Sequence, residues 1–477
     1  MWKGSQRANP RIEPQVRLPR PTGGECVLQR FEVMKCVENT ARWNEPKVVV
    51  GTHQDRSRTR SGNASTAPSF VGSLLVMRAT NLLRTSAVAS AVAVLTSICA
   101  CEPVSGGGTQ PPAAPTTPTA STAPSPPAKT LATDHSAALA LPSLAERMKA
   151  YFSVGVAVEP KQLDEQGDII AHHFNRLVAE NAMKFIRTCA TPTCDYASAD
   201  KIATYAREHG MQMTGHTFVW HQMFPDWLFK DGDAPAKAEV VSERLRKQVF
   251  SMTERYADVV DNWDVVNEAI SDSPDKTYRD ASEGSKWAEA FGGGGYVKAA
   301  FQHAAAAAEK YDPTVKLYYN DYNVAQAAKR KKIIEMVRAL RAEGVRVDGV
   351  GLQAHWNIET PTIDEIRAAI DELAAEKLLV KVSELDISVY PKDDWGAKKW
   401  QPAREYTPEL AQQLADRYAA IFKLFIEKAA VVEHVTFWGV SDDQTWLNQF
   451  PTVRPNFPLL FDRQNQPKLA LKALVEL

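Results

Sequence analysis

The sequence predicts a (β/α)8 TIM barrel preceded by a long non-globular leader, and three observations carry that reading. From about Ala145 onward, short apolar runs alternate with amphipathic helical stretches, eight times over. The stretch 145–477 has the size of one large α/β barrel and is ample for a single buried core. Polar and acidic residues collect at the ends of the apolar runs, where barrels of this class place their chemistry.

The expected strands are Phe152–Val158, Ala182–Ile186, Met213–Trp220, Trp263–Asn267, Leu317–Tyr322, Gly349–His355, Leu379–Ile387 and Val435–Val440. Between them lie helical patterns such as Ala197–His209, Ala236–Tyr256, Tyr296–Lys310, Ala325–Glu343, Ile363–Glu376 and Pro408–Lys428. Gly292–Gly295 interrupts one helical region. It lacks a Lys-Ser/Thr and a preceding strand, so it reads as a loop and not as a phosphate cradle.

The leader has three parts. Residues 1–76 are rich in Arg, Pro and Gly, show no periodicity and read as non-globular. Residues 77–101 resemble a secretory signal: Arg78 and Arg84 flank a short polar start, and the apolar run Ala87–Ala100 is too short to span a bilayer. Translation from Met77, with 1–76 an upstream extension, is the simplest account of a signal placed there; a long genuine leader is the alternative. The run ends Ile98-Cys99-Ala100-Cys101, similar to a bacterial lipobox in which Cys101 is lipidated, with an ordinary signal peptide as the alternative. Residues 102–140 form a linker whose first part, Glu102–Thr130, carries eight prolines and behaves as a semi-rigid spacer. Export follows, to the outer membrane as a lipoprotein or to the periplasm or medium of a Gram-negative cell.

Charge is uneven along the chain. Residues 1–76 carry +6 and 77–100 carry +2, which with a total of −1 leaves −9 for 101–477. A mildly acidic catalytic segment offers no electrostatic footprint for nucleic acid. Of the six cysteines, Cys189 and Cys194 lie in the barrel. Their C-x4-C spacing with Pro192 between suits a local disulfide in an oxidising compartment. It makes a poor zinc site, because no other Cys and no His pair stand nearby; no metal site is expected.

The chemistry concentrates at two strand ends. The fourth strand runs out through Trp263-Asp264-Val265-Val266-Asn267-Glu268-Ala269, the seventh through Val382-Ser383-Glu384-Leu385-Asp386-Ile387. Two carboxylates from different strand ends of one barrel are what glycoside hydrolysis requires: one protonates the leaving oxygen, the other attacks the anomeric carbon or activates water. A single barrel Glu is more often an ion-pair partner than a catalyst, but a pair at strands four and seven is not.

These motifs resemble glycoside hydrolase family 10, the (β/α)8 endo-β-1,4-xylanases, over essentially all of 145–477. The resemblance continues through Phe174-Asn175, Glu180-Asn181-Ala182-Met183-Lys184, Gly215-His216-Thr217-Phe218-Val219-Trp220-His221, Tyr319-Asn320-Asp321-Tyr322-Asn323, Gly351-Leu352-Gln353-Ala354-His355 and Phe437-Trp438-Gly439-Val440-Ser441-Asp442. It implies Glu268 as general acid/base and Glu384 as nucleophile. Glu180, Asn181 and Lys184 would bind glycone hydroxyls, and His216 and Asn267 the sugar beside the cut. Trp220, Trp438 and Trp446 would wall that subsite. Gln353 would sit by the acid/base, and Tyr322 would stack on the leaving-group sugar. His355 would lie between Glu384 and Asp386 and support the nucleophile. The implied partners are xylan and xylo-oligosaccharides, acted on by a monomer without cofactor, besides the membrane tether at Cys101. Taken singly, each residue has a plainer role: Trp438 and Trp446 as rim core, Lys184 as a surface lysine, His216 as a satisfied core histidine.

Two departures stand out. Where the family often has Gln after Trp220-His221, this chain has Met223, so one glycone hydrogen bond is missing or supplied by Gln222. The loop Arg187–Asp195 carries the Cys pair where the family usually has a longer turn. A separation of about 5–5.5 Å between the carboxyl groups would mean double displacement with retention. Other barrel glycosidases acting on β-glucans or mannans share the two Glu positions, and a non-catalytic xylan-binding protein is the remaining alternative. Lys184 and the His216–His221 motif favour the xylanase family, and both Glu residues argue against a dead site.

Overall fold

The computed structural model describes residues 134–390 and 402–477. The segments 1–76 and 77–101, Cys101 and most of the 102–140 spacer lie outside the described residues.

Eight parallel strands close into a barrel: β1 Ser153–Val158, β2 Arg176–Ala179, β3 Gln212–Trp220, β4 Val260–Asn267, β5 Lys316–Asp321, β6 Gly349–Leu352, β7 Leu379–Ser388 and β8 Val432–Phe437. Closure is made by β8, which pairs with β1 (Val154 with Val435, Val156 with Phe437) and with β7 (Leu385 with Phe437). Each strand is followed by a helix: α1 Pro160–His173, α2 Ala197–Glu208, α3 Ala238–Tyr256, α4 Gly295–Tyr311, α5 Ala327–Ala342, α6 Ile363–Ala375, α7 Pro408–Glu427 and α8 Leu469–Val475. The (β/α)8 expectation is met.

Local sequence explains where these helices start and stop. α1 begins with Pro160, whose ring suits the first turn, behind a Glu159–Gln162 capping box. In α6, Thr362 accepts from the Glu365 backbone, and the Glu365 side chain returns the bond. Past the end of α5, Gly344 takes a left-handed φ of 75°, a conformation that glycine adopts without steric cost. The face of α7 that carries Leu414, Tyr418, Ile421, Phe422 and Phe425 is buried, with Phe422 stacked on Phe437 of β8 at 5.9 Å. Burying each such side chain contributes roughly 1.5–3 kcal/mol.

Three differences from the sequence reading matter. The second strand is Arg176–Ala179; the expected Ala182–Ile186 instead forms the following loop and the first residues of a short helix, Phe185–Thr188. Arg176 masked the true strand because its guanidinium pairs with Asp261 at 2.6 Å and leaves only three apolar residues in the run. The sixth strand stops at Leu352, because Ala354 has a left-handed φ of 63°, and His355–Asn357 resumes as a separate strand against Asp386–Ser388 of β7. Order also begins within the expected linker. Ala138, in a helical turn Ser136–Leu139, is fully buried, and its carbonyl is 3.0 Å from His173 Nε2. The glycine run divides a short helix, Lys286–Phe291, from α4, with Gly292 and Gly293 at positive φ and Gly295 already helical.

The barrel is not wholly apolar inside. Lys381 of β7 is fully buried and reaches both Asn262 Oδ1 and Asp264 Oδ1 of β4 at 2.8 Å. Asn262 passes the network to Thr214 Oγ1 of β3 at 3.0 Å. Buried polar groups of this kind persist only when paired, and here they form a column below the strand ends.

Candidate active site

The strand ends deliver the polar residues to one place. Glu268 follows β4 with a left-handed φ of 57°, an uncommon conformation for a non-glycine residue and one that clusters at functional sites. Its Oε2 accepts from Trp220 Nε1 at 2.7 Å, and its Oε1 accepts from Gln353 Nε2 at 2.8 Å and Asn267 Nδ2 at 3.2 Å. Among the described residues its only ion-pair contact is His221, at 3.6 Å. Burial, with Arg279 and Lys329 nearby, pushes that imidazole down to about 3, so it is neutral.

Glu384 has a different environment. It lies within β7, 5% exposed, and its Oε1 accepts from Asn320 Nδ2 at 2.7 Å. His355 Nε2 is 3.2 Å from Oε2, while His355 Nδ1 is 3.0 Å from Asp386 Oδ2. Burial opposes charge on His355, but the Asp386 carboxylate and its hydrogen bond, with Glu384, raise it to about 10. Burial likewise works against a charged Glu384. The His355 hydrogen bond and the fields of His216 and His355 more than offset it and hold Glu384 below the ordinary glutamate range. Asp386 Oδ2 also accepts from Trp446 Nε1 at 2.7 Å, which fixes the carboxylate that fixes His355.

Asn267 joins the two halves. Its Oδ1 accepts from Gln353 at 3.1 Å and from Asn320 at 2.9 Å, while its Nδ2 reaches Glu268. Asn320 is itself held by Ser383 Oγ, 2.6 Å from its Oδ1. A Cβ at Gly351 would come 2.2 Å from that same oxygen, so glycine there leaves room for the amide. Asn320 carries no role in the sequence reading, although it is the penultimate residue of β5, two before Tyr322 and in register with Asn267.

On the side of β1 and β2, Lys184 is buried against Trp220 (4.7 Å) and Trp438 (6.0 Å), and it donates to Asn181 Oδ1 at 3.0 Å. Burial lowers its pKa, opposed by Glu384, Glu180 and Glu268. Asn181 Nδ2 bonds Glu159 Oε1 at 2.7 Å and lies 3.3 Å from Glu180, whose own pKa burial raises. Glu159 was missed in sequence, being the N-cap of α1 with no motif around it. His216 gives Nδ1 to Asp264 Oδ2 at 2.9 Å, which leaves Nε2 as the atom available to a ligand. Gln222 turns to His221 Nε2, 3.2 Å away, and with Met223 it lines a cavity that Lys184 and Trp220 also line. Trp438 and Trp446 pack with Ala157 and Val178.

Tyr322 lies on the opposite side. Its hydroxyl bonds Asp272 and receives Arg279 Nη2 at 2.6 Å, while Arg279 Nε donates to the Glu268 carbonyl at 3.2 Å. The expected site residues of the barrel thus come together, with Tyr322 tied in through Arg279. Cys189 and Cys194 are bonded in the loop after β2, where the Cys189 carbonyl accepts from Trp227 Nε1 at 3.0 Å.

Comparison with known proteins decides the family. Residues 143–477 match the model of glycosyl hydrolase family 10. The chain belongs to that family. This family 10 hydrolase is 38% identical over 342 residues to an endo-1,4-beta-xylanase of Geobacillus stearothermophilus, covering 71% of this chain and 99% of that protein. It is 40% identical over 331 residues to endo-1,4-beta-xylanase B of Paenibacillus barcinonensis, covering 69% and 96%. A crystal structure of endo-1,4-beta-xylanase from Caldicellulosiruptor owensensis superposes with a TM-score of 0.65 at 39% identity, over 71% of this chain and all of that one.

Proposed function

We propose that this family 10 hydrolase cleaves internal β-1,4-xylosidic linkages of xylan by double displacement with retention, with Glu384 as nucleophile and Glu268 as general acid/base. The observation that carries the reading is the electrostatic asymmetry of the two carboxyls. Glu384 faces a cationic His355 and stays ionised, as a nucleophile must. Glu268 is held instead by three neutral side-chain donors and lies 3.6 Å from a neutral histidine, an environment suited to a group that must give and take a proton.

In the first step Glu384 attacks the anomeric carbon while Glu268 gives its proton to the leaving oxygen. The new ester removes the charge of Glu384, and Glu268, now a carboxylate, takes a proton from the incoming water. Asn267, bonded to both halves of the site, serves the 2-hydroxyl of the reacting sugar. Lys184, Asn181 and Glu180 hold the glycone; Tyr322 and Arg279 face the leaving sugar. The xylan specificity is supported by the xylanase names of the relatives at 38–40% identity. Following xylo-oligosaccharide hydrolysis by NMR tests it: β-configured products at early times support retention, and α-configured products refute it.

We also propose that Cys101 is lipidated and tethers the barrel through the Pro-rich spacer. The apolar run, the small residue Ala100 before Cys101 and the eight prolines after it motivate this. Cell fractionation with mass spectrometry of the N-terminal peptide checks it. Enzyme wholly in the medium with an unmodified terminus beyond residue 101 refutes it.

A further inference from the structure

Phe450 is the most exposed large hydrophobic residue among those described, at 54%. Its ring stacks on Trp446, with centroids 5.7 Å apart and planes 22° from parallel. Trp446 in turn is 4.9 Å from His355 and bonds Asp386, the two residues that hold the nucleophile. The ring is therefore the outer tile of an aromatic row that starts at the reacting centre.

The loop bearing it is pinned. Phe450 N donates to the Trp446 carbonyl at 3.1 Å. Asn448 Nδ2 reaches the Asp442 carbonyl at 2.8 Å, and Asn448 Oδ1 accepts from Arg463 at 2.8 Å and Asn456 N at 2.9 Å. Two residues beyond Phe450, Thr452 is buried. The chain thus fixes an apolar ring in solvent where folding gains little from it. One ring, even with Val453 three residues on and 45% exposed, is far smaller than the patch of several hundred Å2 that marks a protein or membrane contact. It does match one face of a pyranose ring, whose axial C–H groups are apolar.

We propose that Phe450 is a carbohydrate-stacking residue at the cleft rim, extending the Trp446 wall to bind a sugar of the xylan chain beyond those flanking the cut. This rests on the xylanase reading above. An extended chain leaving the centre past Trp446 meets a flat surface already oriented, so little entropy is lost in ordering it. Chains too short to reach the rim gain nothing from it.

The test compares kcat/KM on xylohexaose with kcat/KM on 4-nitrophenyl β-xylobioside. In Phe450→Ala the ratio should fall roughly tenfold, the effect expected from losing about 50 Å2 of buried ring face. Phe450→Trp should keep the wild-type ratio. An unchanged ratio in Phe450→Ala overturns the proposal, whether both substrates are spared or both lose equally, as they would if the ring only braced Trp446. Failure of the wild-type enzyme to cleave either substrate would instead refute the xylanase reading.

Discussion

Lys381 Nζ lies 2.8 Å from Asp264 Oδ1, and neither side chain reaches solvent. The other oxygen of Asp264 holds His216 Nδ1, so a charge on β7, three residues before Glu384, sets the orientation of the His216 imidazole on β3. Removing one partner leaves the other charged and buried, which costs about 3–5 kcal/mol, more than the pair itself is worth. Lys381→Met should therefore destabilise the barrel by about that amount, and the double variant Lys381→Met/Asp264→Asn should recover part of it. Denaturant titration reads both, and a fully additive double variant would argue against the coupling.

Replacing Glu384 gives a sharper test of roles. Glu384→Ala should abolish turnover on every substrate, and azide should restore it with inversion at the anomeric carbon. Azide products of retained configuration, seen by NMR, would assign the nucleophile elsewhere.

Glu268→Ala should slow xylan hydrolysis by about 10²–10⁴ while sparing the first step on aryl xylosides with good leaving groups, which need no acid. Equal losses on both substrate types would contradict the acid/base assignment.

The pH dependence follows from His355. Its folded pKa, about 10, lies above the ordinary 6.5, so the stabilisation from its cationic form is complete below about 6.5 and disappears as pH rises through 10. Glu384 works in the opposite sense: its depressed pKa adds stability above the ordinary glutamate range that is lost as pH falls. Asp386→Asn removes the charge that raises His355 and should move the alkaline limb of kcat/KM to lower pH. A limb that stays in place would mean that another group titrates there.

The Cys189–Cys194 bond should be present in exported enzyme, so intact mass after alkylation without reductant should show no added groups at these residues. In the chain-entropy picture so short a loop contributes roughly 2 kcal/mol, which Cys189→Ser/Cys194→Ser should remove. Full alkylation of both thiols would contradict the bond.

Sequence alone determined the barrel and singled out both carboxylates and most of the side chains that gather around them. Glu268 follows one apolar strand pattern and Glu384 interrupts another, and Trp, His and Asn side chains around them sit in motifs that are readable locally. The charge state of the site was decided by tertiary structure. That Glu384 is ionised depends on His355, and His355 on Asp386, three residues brought together by the parallel pairing of 355–357 with 386–388. Asn320 became part of the site only through its register with Asn267, because hydrogen bonding depends on direction and distance, which residue order does not encode. The second strand was misplaced for a related reason. Arg176 looks like a loop residue until Asp261, 85 positions away, neutralises it at the start of β2. Local patterns carry periodicity and motif; the partner that makes a buried polar residue affordable is supplied by the fold.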